Sequence, residues 1–331
     1  MKFRGIVEGY YGKLVSFEDR KIHIDLMSEN QLNFYLYAPK EDPFLRSDLN
    51  LDHPKGWLED FSEFVNYAKI KEVTIGVGLA PISNNKEHIY NKIELFYKSG
   101  VSDFSILFDD IENHFSFEAQ LDIFQSCVLT FPDCSFNFCP TVYSDELINK
   151  DERHLAYFSD FTANFPKDIN FFWTGKNVIS TSQSQANDNV LSNFAEEQIC
   201  IWDNFFTVDS NPEKLNLTDC HYIDKSYLAS KHLYLINLTG LVRTDSLIIE
   251  IFGNFVSNSN IAFEKILLKH GVNEGLIDMK DLFNPAVDIN LSEKEMNKIH
   301  NIMFSWFHPL KNEWYPYCLL YTSPSPRDLA V

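Results

Sequence analysis

Between Phe3 and Leu238 the chain repeats one pattern, a short apolar run followed by residues with apolar positions at helical spacing. The runs cover residues 3–8, 32–37, 73–79, 136–140, 171–175, 199–204 and 233–238, with Phe104-Ser105-Ile106-Leu107-Phe108-Asp109-Asp110-Ile111 standing fourth in order. Several are apolar without alternation, as expected of strands buried on both faces, and such strands belong to parallel sheets. The intervening stretches carry stripes such as Phe61, Phe64, Val65 and Ala68, or Leu247, Ile248, Ile251 and Phe252. Ser16 is placed to cap the first helix, and Gly100 to stop a later one. Strand and helix alternate about every 30 residues, the spacing of βα units in a parallel sheet. Eight such units over roughly 250 residues predict an α/β fold, a (β/α)8 TIM barrel. The main rival is an open doubly wound sheet, but Gly9 and Gly12 do not make the G-x-G-x-x-G turn often found after its first strand.

The barrel pattern accounts for residues 1–260. Residues 261–316 predict a helical appendage, with helix over 261–268, irregular chain over 271–290 and helix over 292–307. Residues 317–331 read like a translated adapter and are set aside as a non-native tail.

The net charge of −19 comes without a basic cluster, which argues against nucleic acid or an anionic membrane as partner. No stretch reaches the ~18 apolar residues of a membrane span. Met1 leads into a strand without a signal pattern, so the expected location is cytoplasmic. The six cysteines form no C-x-x-C pair and are expected to be free thiols; no metal site and no cofactor is predicted. Asn216-Leu-Thr218 and Asn237-Leu-Thr239 match the glycosylation pattern but mean little without a signal peptide.

The fourth run stops on two acids. Carboxylates are costly to desolvate unless paired or used, and barrel enzymes carry their chemistry at the carboxyl ends of strands. A solvated Asp-Asp turn opening the next helix is the competing reading. The other strands end on Glu8-Gly9-Tyr10-Tyr11-Gly12, Lys40-Glu41-Asp42, Tyr143, Trp173-Thr174 and Trp202-Asp203-Asn204, with Asp209 just after. Acids, amides, hydroxyls, one Lys and aromatic faces suit a sugar. Taken singly, Lys40 reads equally as a surface residue, Trp202 as core and Tyr143 as a rim aromatic. Glu8 reads as a buried structural acid, and Asp203 as a partner of a backbone N–H.

Six segments carry a resemblance: Gly5–Gly12, Asn33–Asp42, Phe108-Asp109-Asp110-Ile111, Cys139–Tyr143, Trp173-Thr174-Gly175 and Ile201-Trp202-Asp203-Asn204. In this order they resemble the catalytic domain of glycoside hydrolase family 84, the O-GlcNAcase and bacterial β-N-acetylglucosaminidase family. The resemblance implies retaining hydrolysis of terminal N-acetylglucosamine, with the substrate's own acetamido oxygen as nucleophile and an oxazoline intermediate. Such enzymes depart from the two-carboxylate scheme. It further implies that Asp109 polarises the acetamido N–H, that Asp110 is general acid and then base, and that Tyr143 holds the acetamido oxygen. Asn204, Trp202 and Thr174 would line the acetamido pocket, while Gly9, Lys40 and Asp209 would bind sugar hydroxyls. Two adjacent carboxylates do not both ionise cheaply, so Asp110 is expected to keep its proton. The glycine at 9 is expected to let backbone approach the ligand.

The chain departs from the family pattern after strand eight, where Thr244 or Arg243 falls near the position of a sugar-contacting Asn. Val208 replaces another Asn, and residues 80–86 lack a Pro-Gly turn. The alternative class is therefore a catalytically silent carbohydrate-binding barrel. The implied partner is an N-acetylglucosamine-containing glycoside or glycoprotein.

Overall fold

A computed structural model describes residues 2–82, 85–110, 115–208, 214–285 and 291–322. Among them, eight parallel strands close into a barrel in sequence order. The strands are β1 (Phe3–Glu8), β2 (Phe34–Tyr37), β3 (Thr74–Leu79), β4 (Asp103–Leu107), β5 (Ser135–Cys139), β6 (Asn170–Trp173), β7 (Ile199–Asp203) and β8 (Leu233–Asn237). β8 pairs back with β1, setting Asn237 opposite Val7. The expected (β/α)8 barrel is therefore the observed fold.

Helices α1 (Phe17–Glu29), α2 (Lys55–Ile70), α3 (Lys86–Lys98), α4 (Phe117–Thr130), α5 (Asp145–Ile148), α6 (Glu152–Asn164), α7 (Lys225–Ser230) and α8 (Val242–Ser257) fill the connections. Ser16 caps α1 by accepting the Asp19 N–H at 3.1 Å. Gly100 follows α3 at φ +96°, a left-handed turn suited to glycine. Only the β6–β7 connection has short 3-10 turns, over 185–191 and 196–198, in place of an α-helix among the described residues.

Strand alternation separates two layers of core. Val7, Leu36, Leu107, Phe172, Trp202 and Leu235 belong to a cluster inside the barrel. Ile6, Tyr35, Ile106, Phe171, Ile201 and Ile236 pack outward with the helices. β3 supplies glycine to the interior, because a Cβ on Gly78 would lie 2.6 Å from Ala38 and 2.8 Å from Leu107.

After α8 come α9 (Phe263–Lys269), α10 (Glu274–Ile277), a 3-10 turn over 280–283, α11 (Glu293–Ser305) and α12 (Leu310–Thr322). The stretch expected to be irregular thus holds two short helical turns. α12 runs on past residue 317, where a tail was expected to begin, and buries Tyr317 and Cys318. It also completes the barrel's last helix. α8 has no side-chain cap from its own N-cap residue. Glu313 of α12 supplies one, accepting the backbone N–H groups of Arg243 at 3.0 Å and Thr244 at 2.9 Å. Carboxylates are favoured at such free N–H groups.

No disulfide joins any two of the six cysteines. Asn216 and Asn237 are both buried and hydrogen-bonded, which closes them to glycosylation. Among the described residues no helix is long and apolar enough to cross a membrane.

Candidate active site

The alternation that fills the barrel also builds the site at its carboxyl end. Gly9, Lys40, Asp109, Thr174, Asn204 and Asn237 each stand two residues beyond an inward residue: Val7, Ala38, Leu107, Phe172, Trp202 and Leu235. All six line one cavity, with Trp202 and Tyr143 beside them. The cavity spans about 600 Å³, counting the part open to solvent at the barrel mouth.

Asp110 breaks the alternation. As the neighbour of an inward residue it should face away, yet it lines the same cavity. Its φ of +53° is the reason. A left-handed residue turns the chain at the strand exit and brings the second carboxylate round. Such a conformation costs roughly 1–2 kcal/mol for a residue with a Cβ, although Asp tolerates it better than most. Three donors hold the carboxyl there. The Tyr11 hydroxyl donates to Oδ2 at 2.9 Å, the Tyr143 hydroxyl to Oδ1 at 3.4 Å, and the Lys40 Nζ lies 3.5 Å from Oδ2.

Lys40 is buried and also ion-paired to Asp109 Oδ2. Burial alone would lower its pKa, but Asp109 and Asp110 outweigh that and raise it. The same ammonium changes what the acid pair does. Burial pushes the Asp110 carboxyl upward, but Lys40, the Tyr11 hydroxyl and Arg46 together bring it below the usual carboxylate range. The expected repulsion between the two carboxylates is offset by this shared cation, which favours the ionised form of Asp110. Asp109 Oδ1 is buried and has no hydrogen-bond partner among the described residues, which makes it an open acceptor in the cavity wall. Burial, then Asp110 and Asp109, push the Tyr143 hydroxyl far above its ordinary pKa, so it stays a donor.

The opposite wall is a chain of amides. Gly9 N–H donates to Asn237 Oδ1 at 3.0 Å, Asn237 Nδ2 to Asn204 Oδ1 at 2.9 Å, and Trp202 Nε1 to the same Asn204 oxygen at 3.0 Å. Asn204 Nδ2 donates to the Val178 carbonyl at 2.9 Å. Thr174 Oγ1 donates to the Asn177 carbonyl at 2.9 Å. Gly9 has a reason other than ligand approach. A Cβ there would lie 2.2 Å from Trp202 Cζ2, so glycine makes room for the indole.

Asp203 has the outward parity and stays out of the cavity. Fully buried, it accepts the hydroxyls of Tyr234 at 2.6 Å and Tyr222 at 2.9 Å and the Phe205 N–H at 3.0 Å. Burial raises its pKa to about 6 despite these bonds. Glu8 is likewise structural, paired with Arg20 at 2.7 Å and bonded by the Tyr35 hydroxyl at 2.7 Å. Thr244 is not in the cavity. Its hydroxyl donates to Glu313 at 2.7 Å and accepts from Trp314 Nε1 at 3.0 Å. The strand-eight residue in the cavity is Asn237, which the sequence reading missed along with Tyr11. Asp209, expected to bind hydroxyls, lies outside the described residues, as do Ser83 and Asn84 of the 80–86 turn.

Comparison with known proteins agrees with this architecture. A family model described as beta-N-acetylglucosaminidase matches residues 4–265. The mouse (Mus musculus) and rat (Rattus norvegicus) proteins called Protein O-GlcNAcase are each 27% identical over 233 residues. The match takes in 64% of this chain and 25% of each relative, so the chain spans about a quarter of their length. In structure, an O-GlcNAc hydrolase mutant from Thermobaculum terrenum superposes with a TM-score of 0.75 at 20% identity. It covers 98% of this chain and 78% of its own, a likeness of fold. With its barrel and its acid pair in one cavity, the chain belongs to the beta-N-acetylglucosaminidase family, a family of glycoside hydrolases.

Proposed function

We propose that the chain is a retaining β-N-acetylglucosaminidase that releases terminal N-acetylglucosamine through an oxazoline. The observation that carries this reading is the convergence of Asp109, Asp110 and Tyr143 on one cavity at the carboxyl end of the barrel. In the reaction, the acetamido carbonyl oxygen attacks the anomeric carbon while the glycosidic C–O bond breaks. Asp109 accepts the acetamido N–H through its open oxygen and stabilises the positive charge that develops on the amide. Tyr143 orients the acetamido oxygen. Asp110 gives its proton to the departing oxygen, then takes a proton from the water that opens the oxazoline. Two inversions leave the anomeric configuration retained.

Lys40 and the Tyr11 hydroxyl favour the ionised form of Asp110, so the acid has to gain proton affinity as substrate binds. When sugar hydroxyls draw Lys40 away from the acid pair, Asp110 loses its nearest cation and water leaves the pocket. Both changes raise its pKa. Trp202 offers an apolar wall to the acetyl methyl, and Thr174 and Asn204 complete that pocket.

The test is turnover of aryl N-acetyl-β-glucosaminides by the wild type and Asp110→Asn. We expect at least a 100-fold loss of kcat/KM with a phenyl leaving group and a far smaller loss with 2,4-dinitrophenyl, which departs without a proton. Equal losses with both would remove Asp110 from the acid role. A thio-oxazoline that fails to inhibit would remove the acetamide from the nucleophile's.

A further inference from the structure

We propose that Arg46 and Tyr11 form a relay that positions the Asp110 carboxyl: Arg46 holds the Tyr11 hydroxyl, and that hydroxyl holds the acid. The inference rests on the reading of Asp110 as acid and base, and adds two positioning residues to it.

Tyr11 is 45% exposed and lies in the turn after β1, so burial alone does not account for its placement. Its hydroxyl reaches across the barrel mouth to Asp110 Oδ2 at 2.9 Å. Arg46, from the segment after β2, donates through Nη1 to that same hydroxyl oxygen at 3.3 Å. Its guanidinium carbon also stands 5.6 Å from the Tyr11 ring centroid. A phenol that accepts from a cation becomes a stronger donor. Arg46 therefore acts on Asp110 both by its own field and through Tyr11. The relay also answers a geometric need, since the left-handed turn at Asp110 requires the carboxyl to be held from outside its own strand.

The groups facing Asp110 among the described residues come from four strands. They are Tyr11 after β1, Lys40 and Arg46 after β2, Asp109 after β4, and Cys139 with Tyr143 at β5. Lys40 is shared with Asp109 and leaves when a sugar takes it, under the mechanism above. Tyr11 and Arg46 reach Asp110 from the rim of the barrel mouth, where they fix the direction of the acid and moderate its proton affinity.

The experiment is the pH profile of kcat/KM for Tyr11→Phe, Arg46→Gln and the double variant, with phenyl and 2,4-dinitrophenyl N-acetyl-β-glucosaminides. The basic limb for the phenyl substrate reports ionisation of the acid in the free enzyme. Removing a donor from the carboxylate raises its proton affinity, so the limb moves to higher pH, by about half to one unit for so exposed a bond. Arg46→Gln moves it the same way by less, and the double variant moves it past Tyr11→Phe only by Arg46's own field, so by less than the sum of the two single shifts. A limb that stays put or moves down in Tyr11→Phe overturns the relay, even if the rate falls. Additive shifts overturn the claim that Arg46 works through Tyr11. If the wild type shows the same basic limb with both leaving groups, the acid assignment itself has failed, and that result is separable from the relay.

Discussion

Replacing Gly9 by Ala tests whether the pocket wall is built around Trp202. The added Cβ would stand 2.2 Å from Cζ2, 2.9 Å from Cη2 and 3.2 Å from Cε2 of the indole. Carbon atoms in contact prefer about 3.5–4.0 Å, so the ring has to retreat by more than an ångström. Behind it stand Phe172, whose ring centroid is 5.5 Å away edge-on, and Lys40 over the ring face at 6.0 Å. Overpacking of this kind costs roughly 1–3 kcal/mol. The Trp202–Asn204 bond, broken by the shift, adds about 1 kcal/mol. A loss of ~2–4 kcal/mol lowers Tm by roughly 3–6 °C in a chain of this size. Displacing a wall of the acetamido pocket by ~1 Å lowers kcat/KM by about 100-fold. Scanning fluorimetry and hydrolysis of an aryl glycoside read both quantities. The decisive comparison uses Trp202→Phe as background. A phenyl ring lacks the far indole carbons, so Gly9→Ala there costs less than about 1 kcal/mol. An unchanged cost in that background would refute the reasoning and return Gly9 to ligand approach alone.

Asn237→Ala removes the link between the Gly9 amide and Asn204, and kcat/KM should fall by about 10-fold or more while Tm changes little; unaltered kinetics would take Asn237 out of the wall. Thr244→Val breaks the bonds to Glu313 and Trp314, so it should cost about 1–2 kcal/mol in chemical denaturation with KM for the sugar unmoved; a raised KM would put residue 244 back at the ligand. Asp245 is fully buried, accepts from Thr239 and Gly240, and has its pKa pushed up to about 7 by burial. The folded chain then binds a proton that the unfolded chain has lost, so this contribution to stability is present at pH 4 and fades as pH rises through 7. Urea midpoints measured across that window should fall less steeply for Asp245→Asn than for the wild type, and parallel slopes would contradict the shift.

The barrel was legible because its evidence is periodic. Each inward apolar run and each amphipathic stripe is a local pattern, and their alternation leaves few ways to bury every strand. The site was legible by the same rule, carried one step beyond the strand. Parity alone assigns Asn204 to the cavity and Asp203 to the outer core, and it would have found Asn237, which ends β8 on the inward side. What parity cannot deliver is the exception. Asp110 enters the cavity only through a positive φ, and a strand pattern holds no signal for that. Long-range partnerships were equally hidden. Glu313 stands 69 residues from Thr244 in sequence, and nothing near either residue announces that one caps the other's helix. The counter-charge between the acids is hidden in the same way, because Lys40 stands 69 residues from Asp109 and nothing near either residue pairs them.

The nucleophile itself can be interrogated by chemistry on the substrate. Aryl glucosaminides whose acetyl group carries none to three fluorines differ mainly in how well the amide oxygen attacks. Participation by that oxygen predicts that log kcat/KM falls steadily with each fluorine, by orders of magnitude across the series. A flat series would mean that some other group displaces the leaving oxygen, and Asp109 and Asp110 would need different roles.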